Sequence, residues 1–167
     1  MILLVGLGGN QGDVVGAFAA AARGLADRFA FRAASSLWRT APVGPAQPDF
    51  LNAAILIEAD DHPLAVLAVC LGLESAAGRQ RRPGERFGPR PLDLDLLAAE
   101  GLVLEGPRLT LPHPRLAERR FALLPAAEIA PRWVHPRCHR TLEELAASLP
   151  AAAQCCLRIG AFPELTA

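Results

Sequence analysis

The sequence contains no lysine and no tyrosine; all 17 basic residues are arginine. The lack of lysine excludes a P-loop that ends on a lysine, and it excludes Schiff-base chemistry. With tyrosine missing too, neither residue can serve as a general base. Any anion must be held by guanidinium forks, backbone N–H groups, helix N-termini or metal ions. A compositional source accounts for the same pattern: a GC-rich genome writes arginine for lysine, and the many alanines, 14 glycines and 15 prolines fit that bias. Net charge is absent as well, 17 basic side chains balancing 17 acidic ones. No global field therefore recruits nucleic acid or an anionic membrane. Long apolar runs are missing: the longest, Pro63 to Leu73, falls far short of the ~20 residues of a membrane span. The opening MILLVGLGGN has no basic stretch and no cleavage-like site, so no signal peptide is read and a cytoplasmic protein is expected. The four cysteines, Cys70, Cys138, Cys155 and Cys156, match no zinc or disulfide framework. His135, Cys138 and His139 could approach one metal, but no second half-site follows.

What is present reads as globular: 51% hydrophobic and 20% charged residues. A single domain over residues 1–167 is expected, with a core of about 1–131 and a C-terminal helix and tail over 132–167. Ile2 to Gly8 reads as a buried strand. Gly12 to Phe29 has helical spacing, with Val15, Phe18, Ala22, Leu25 and Phe29 on one face. Strands are expected over Arg32 to Thr40 and Phe50 to Glu58, with a proline-rich loop at Ala41 to Pro48 between them. His62-Pro63 opens a second helix running to about Ala77, and Gly78 is its stop. After a Gly/Pro/Arg-rich loop, Arg79 to Pro91, Leu92 to Ala98 reads as a fourth strand. The order β-α-β-β-α-β is that of a ferredoxin-like α+β core, an antiparallel sheet with helices packed on it. A hairpin-like stretch (Leu102 to Leu111) and two helices (Phe121 to Glu128, Leu142 to Leu149) follow, and nothing definite is read from Pro150 onward.

Asp93-Leu94-Asp95 is the sharpest motif. On a strand, residues i and i+2 share a face, so two like charges stand side by side and each needs a partner. A divalent cation meets that need with hard oxygen ligands, although Asp-x-Asp alone is common. The loop before it carries Arg79, Arg81, Arg82, Arg86 and Arg90 with only Glu85 against them. That cluster suits a phosphate clamp, a nucleic-acid patch or a solvated loop. Gly6 to Gly12, GLGGNQG, imitates a dinucleotide fingerprint, but Gln11 breaks it and no acidic residue ends the second strand. These glycines read as a tight turn. Phe50 and Asn52 share a strand face, and a ring beside an amide suits a flat heterocycle; a core phenylalanine and a solvated asparagine would look the same. Leu111-Pro112-His113-Pro114-Arg115 holds a histidine between two prolines, and Arg119-Arg120-Phe121 follows.

Taken together, LGGNQGD, LWRT, PVGPAQPDFLNAA, GRQRRPGERFGPRPLDLDLL and LTLPHPRLAERRFALLPAAEIAP resemble the 6-hydroxymethyl-7,8-dihydropterin pyrophosphokinase family of folate biosynthesis, from Gly6 to Pro131. The resemblance implies transfer of pyrophosphate from ATP to the pterin's hydroxymethyl oxygen, with release of AMP. It implies two Mg²⁺ ions on Asp93 and Asp95, and Arg79 and Arg90 as the loop arginines that grip the phosphates. Glu74, Arg81, Arg108, Thr110, His113 and Arg119 fall at the family's ATP site. Val43, Phe50, Asn52 and Phe121 fall at its pterin site, with Phe87 closing over it. Departures are Gly9 for a usual serine, Leu71 for a frequent glutamine, Phe50 for tyrosine and Phe87 for tryptophan. The implied partners are ATP and 6-hydroxymethyl-7,8-dihydropterin; from the balanced charge no nucleic acid and no membrane are expected, and the small size suits a monomer. An RNA-binding module has the same element order but needs an aromatic on its first strand, and Ile2 to Gly8 has none. A metal-dependent phosphohydrolase would use Asp93 and Asp95 but leaves PVGPAQPDFLNAA without a role.

Overall fold

The computed structural model describes residues 1–42, 46–79 and 88–165. Strand β1 (Ile2–Gly9) buries Leu3, Val5 and Leu7 on one face and Leu4 on the other. It pairs antiparallel with β4 (Phe50–Glu58) on one side and with β5 (Asp93–Ala99) on the other. Strands β2 (Ala30–Ala34) and β3 (Leu37–Thr40) both pair with β4, and β8 (Cys156–Gly160) pairs with the far edge of β3. The sheet order is β5-β1-β4-β3-β8, with β2 beside β4. Because β1 and β4 are flanked on both sides, their polar backbone is satisfied while both faces are buried.

Helix α1 (Val14–Ala26) starts where Asp13 Oδ1 accepts the Gly16 N–H at 2.9 Å, a capping bond that satisfies one exposed donor of the first turn. Helix α2 (Pro63–Ala76) starts at His62, whose Nδ1 accepts the Leu64 N–H at 3.2 Å. Gly78, at φ +84°, turns the chain away after it, a conformation that costs glycine little. These two helices bury Phe18, Leu25, Val66 and Cys70 against Leu3, Val5, Ile55 and Leu94. Burial pushes the Cys70 thiol up to about 12, so it is unreactive. Helices α3 (Arg120–Ile129) and α4 (Leu142–Ser148) bury Leu123, Leu142 and Leu145 with Leu4, Ala54 and Leu97. The chain is therefore α+β, an antiparallel sheet with helices on both faces. Among the described residues, no helix is long and apolar enough to cross a membrane.

Several elements differ from the sequence reading. The first helix is shorter than Gly12 to Phe29, and the strand expected over Arg32 to Thr40 is two strands. Ser35 and Ser36 break it. The Ser35 hydroxyl accepts the Ala54 N–H at 2.9 Å, and the Ser36 hydroxyl donates to Glu128 at 2.7 Å. The stretch Leu102 to Leu111 forms only isolated bridges, Ala99 with Leu102 and Leu104 with Leu111. A two-residue ribbon, β6 (Val134–His135) with β7 (Arg140–Thr141), was not anticipated. His135, Cys138 and His139 belong to its turn, where His135 Nδ1 accepts the backbone N–H groups of Arg137 and Cys138. Strand β8 lies in the stretch from Pro150 onward, where no definite element is read from the sequence. Glu128 anchors it: this carboxylate accepts from Ser36 and from Trp38 Nε1 at 3.0 Å, and lies 3.1 Å from the Arg158 guanidinium. Burial opposes its charge, but these donors hold its carboxyl below the usual range.

Candidate active site

The site lies on the α3 face of the sheet, at the end that α3 leaves uncovered. Gly6 and Gly8 of β1 stand opposite Asp95 and Asp93 of β5 in one ladder, and Gly8 stands opposite Asn52 of β4 in the other. Next across the sheet, Phe50 pairs with Thr40. Alternation along each strand sends Asp93, Asp95, Phe50, Asn52 and Thr40 to this one face. Two of the intervening positions have no side chain, so the floor stays open. A Cβ on Gly8 would stand 3.2 Å from Asn52 Oδ1. The result is a cavity of about 550 Å³, roofed by His113, Arg115, Arg119, Arg120 and Phe121 at the start of α3 and by Gln154. Gly6 and Gly8 thus belong to the strand expected over Ile2 to Gly8, and Gly9 extends it into the stretch read as a tight turn. Gly9 has its own reason to lack a side chain: the Pro91 carbonyl lies 2.6 Å from where a Cβ would be.

Asn10 holds the two loops beside the cavity. Its N–H donates to the Arg90 carbonyl at 2.9 Å, and its Oδ1 accepts the Arg90 N–H at 3.0 Å. Its Nδ2 donates to Gln47 Oε1 and to the Pro48 carbonyl, each at 3.1 Å. The start of β5 is thereby fixed against the loop that enters β4.

Charge is concentrated on the floor. Arg79 Nη1 donates to Asp93 Oδ1 and, at 2.5 Å, to Glu74 Oε1. Arg90 Nε lies 2.8 Å from Asp93 Oδ2. Glu74 is buried and also accepts the Leu94 N–H at 2.8 Å, which locks β5 to α2. Burial raises the Asp95 carboxyl to about 6; Asp93 and Glu74 push it the same way, against Arg119 and Arg90. Burial, then Arg119 and Arg115, lower His113 to about 4. Its ring is therefore neutral at ordinary pH. His113 Nδ1 accepts the Arg115 N–H at 3.1 Å, which leaves the other ring nitrogen as a donor. Burial and Arg115 also hold the Arg119 guanidinium below its usual range. The arginines cover the rings: Arg90 Cζ is 5.0 Å from the Phe50 centroid, and Arg119 Cζ is 5.3 Å from that of Phe121.

Of the residues singled out from the sequence, Arg79, Arg90, Asp93, Asp95, His113, Arg119, Phe50, Asn52 and Phe121 line this one cavity. Glu74 stands behind it, bound to Arg79. Arg108 is exposed and Thr110 half-buried, and neither lines the cavity. Val43, Arg81 and Phe87 lie outside the described residues. Thr40, quoted within LWRT but given no role there, and Gln154 line the cavity as well; neither type in isolation signals a site. Among the described residues, no group of three or more His, Cys, Asp or Glu is arranged to hold a metal. The protein offers two carboxylates, which fits a Mg²⁺ ion that keeps waters and takes its remaining ligands from substrate phosphates.

Two carboxylates under a girdle of arginines, beside two aromatic rings, are the parts of a phosphoryl-transfer enzyme. Residues 4–131 match the family described as 7,8-dihydro-6-hydroxymethylpterin-pyrophosphokinase (HPPK), and the chain belongs to that family. It is 42% identical over 146 residues to the 2-amino-4-hydroxy-6-hydroxymethyldihydropteridine pyrophosphokinase of Synechocystis sp., an alignment covering 85% of this chain and 73% of that protein. Against the protein of the same name from Methylorubrum extorquens it is 45% identical over 133 residues, covering 78% of this chain and 83% of the other. The crystal structure of wild-type Plasmodium falciparum HPPK-DHPS with pteroate is similar in fold, with a TM-score of 0.67 at 13% identity, over 87% of this chain and 44% of that one. The chain thus spans less than half the length of that solved protein.

Proposed function

We propose that this chain transfers the β,γ-pyrophosphoryl group of ATP to the hydroxymethyl oxygen of 6-hydroxymethyl-7,8-dihydropterin, releasing AMP, as a step of folate biosynthesis. The observation that carries the reading is Asp93 and Asp95 side by side on the cavity floor, beneath Arg79, Arg90 and Arg119, inside the stretch that matches the family. Asp93 and Asp95 would hold Mg²⁺, which when bound neutralises charge on the phosphates and orients them. Phosphoryl-type transfer needs positioning and charge neutralisation more than a covalent nucleophile. Arg79 and Arg90 grip the transferred phosphates. His113 and Arg119, which line the cavity, serve ATP, His113 as a neutral donor, and Glu74 acts from behind by holding Arg79. For Arg108 and Thr110, outside the cavity, and for Arg81, outside the described residues, the ATP role rests on the motif resemblance alone. Phe50 and Phe121 stack the pterin and Asn52 reads its pyrimidine edge; the pterin roles implied for Val43 and Phe87 fall outside the described residues.

The architecture supports the same reading. The strand order β5-β1-β4-β3, with β2 and β3 taken as one broken strand, fits a ferredoxin-like core. We read the chain as one domain, acting as a monomer in the cytoplasm. The test is product analysis with ATP, Mg²⁺ and the pterin: AMP must accumulate with turnover, and ADP or orthophosphate in its place would contradict the assignment.

A further inference from the structure

The family match ends at residue 131, yet the chain returns to the cavity after it. Gln154 lines the same cavity as Thr40, Phe50 and Asn52. Its Nε2 donates to the Ala41 carbonyl at 3.0 Å. The Ala41 N–H donates to the Cys155 carbonyl at 3.2 Å. Consecutive residues of the C-terminal segment therefore hold both hydrogen-bonding groups of Ala41, the residue that follows β3. Immediately before it, Thr40 pairs with Cys156 on one side and Phe50 on the other. Thr40 Oγ1 accepts the Asn52 Nδ2 hydrogen bond at 2.8 Å, in a buried setting. Arg120, on the cavity roof, fixes the start of the same segment by donating to the Leu149 carbonyl at 2.8 Å.

These contacts form one line from Gln154 through Ala41 and Thr40 to Asn52. We propose that Gln154 is a positioning residue for the pterin half of the site. By holding the Ala41 carbonyl it fixes the backbone at the end of β3, and with it the geometry in which Asn52 and Phe50 meet the heterocycle. The inference rests on the functional reading above. The phosphate half lies farther from the clamp: Asp93 and Asp95 lie on β5, and β1 and β4 separate β5 from β3. Loss of the clamp should therefore be felt more by the pterin than by ATP.

Gln154→Glu keeps the side-chain size but removes the N–H donor, and Gln154→Ala removes the reach. Both are assayed by AMP release in the full-length protein with MgATP and 6-hydroxymethyl-7,8-dihydropterin. The expected result is a pterin KM raised about 3- to 10-fold, the scale of one hydrogen bond, with kcat and the ATP KM near wild-type values. A wild-type pterin KM in both variants, or an ATP KM that rises by the same factor, would overturn the role. Wild-type protein that releases no AMP would instead defeat the functional reading and this inference with it.

Discussion

The Arg90 guanidinium lies over the Phe50 ring, 5.0 Å from its centroid, while its Nε stands 2.8 Å from Asp93 Oδ2. One side chain thus touches the aromatic wall and the carboxylate floor at once. Both contacts are made with groups that the proposed substrates would use, which places Arg90 between the two halves of the site. Its role at the phosphates predicts that Arg90→Ala lowers kcat by about 10²-fold or more, the scale of one transition-state charge contact, and raises the pterin KM much less. Steady-state kinetics separate the two effects; an unchanged kcat with a raised KM would contradict this role.

Asp93 and Asp95 are expected to be indispensable for a reason other than folding. Asp93→Asn and Asp95→Asn should each abolish turnover while leaving the circular dichroism spectrum native. Wild-type rates in either variant would remove the metal role.

The Asp95 carboxyl also gives a pH dependence with a definite sign. Its folded value, about 6, lies above the ordinary 3.8. Its contribution to stability is complete below about 3.8 and is lost as pH rises through about 6. Metal-free Asp95→Asn protein escapes that loss. It should melt higher than the wild type at pH 8, by ~2–4 °C for each kcal/mol recovered, with the difference closing toward pH 4. Protons and Mg²⁺ compete for the same oxygens, so Mg²⁺ should raise the wild-type melting temperature at pH 8 and far less at pH 5. Melting curves at the two pH values, with and without Mg²⁺, check both statements.

Glu128 gathers Ser36, Trp38 and Arg158 onto one carboxylate. Replacing it by alanine leaves their donors unpaired, which should cost about 1–3 kcal/mol. Chemical denaturation measures that cost. Because Glu128 anchors β8, the pterin KM should rise in the same variant while the ATP KM holds.

The parts of the fold legible in the sequence are those with a local signal. Phe18, Ala22 and Leu25 mark α1 by period, His62-Pro63 announces α2, and Asp93-Leu94-Asp95 alternates visibly across β5. Strand β8 was not legible, because the five residues CLRIG are mostly exposed, bury no hydrophobic face and are specified by long-range pairing with β3. The Ser35-Ser36 break was equally hidden, since it depends on Glu128, 92 residues away. For the site, charge and motif pointed to Asp93, Asp95, Arg79 and Arg90. They could not point to Gln154, which matters through a backbone carbonyl, or to Gly6 and Gly8, which matter for the side chains they lack.

The central claim is that two phosphorus atoms move together. ATP labelled separately at its β and γ phosphorus, incubated with Mg²⁺, the pterin and the protein, follows each of them. Both labels should appear in the pterin product in equal amounts, with unlabelled AMP released. A product carrying the γ label alone, with the β label left in ADP, would contradict it.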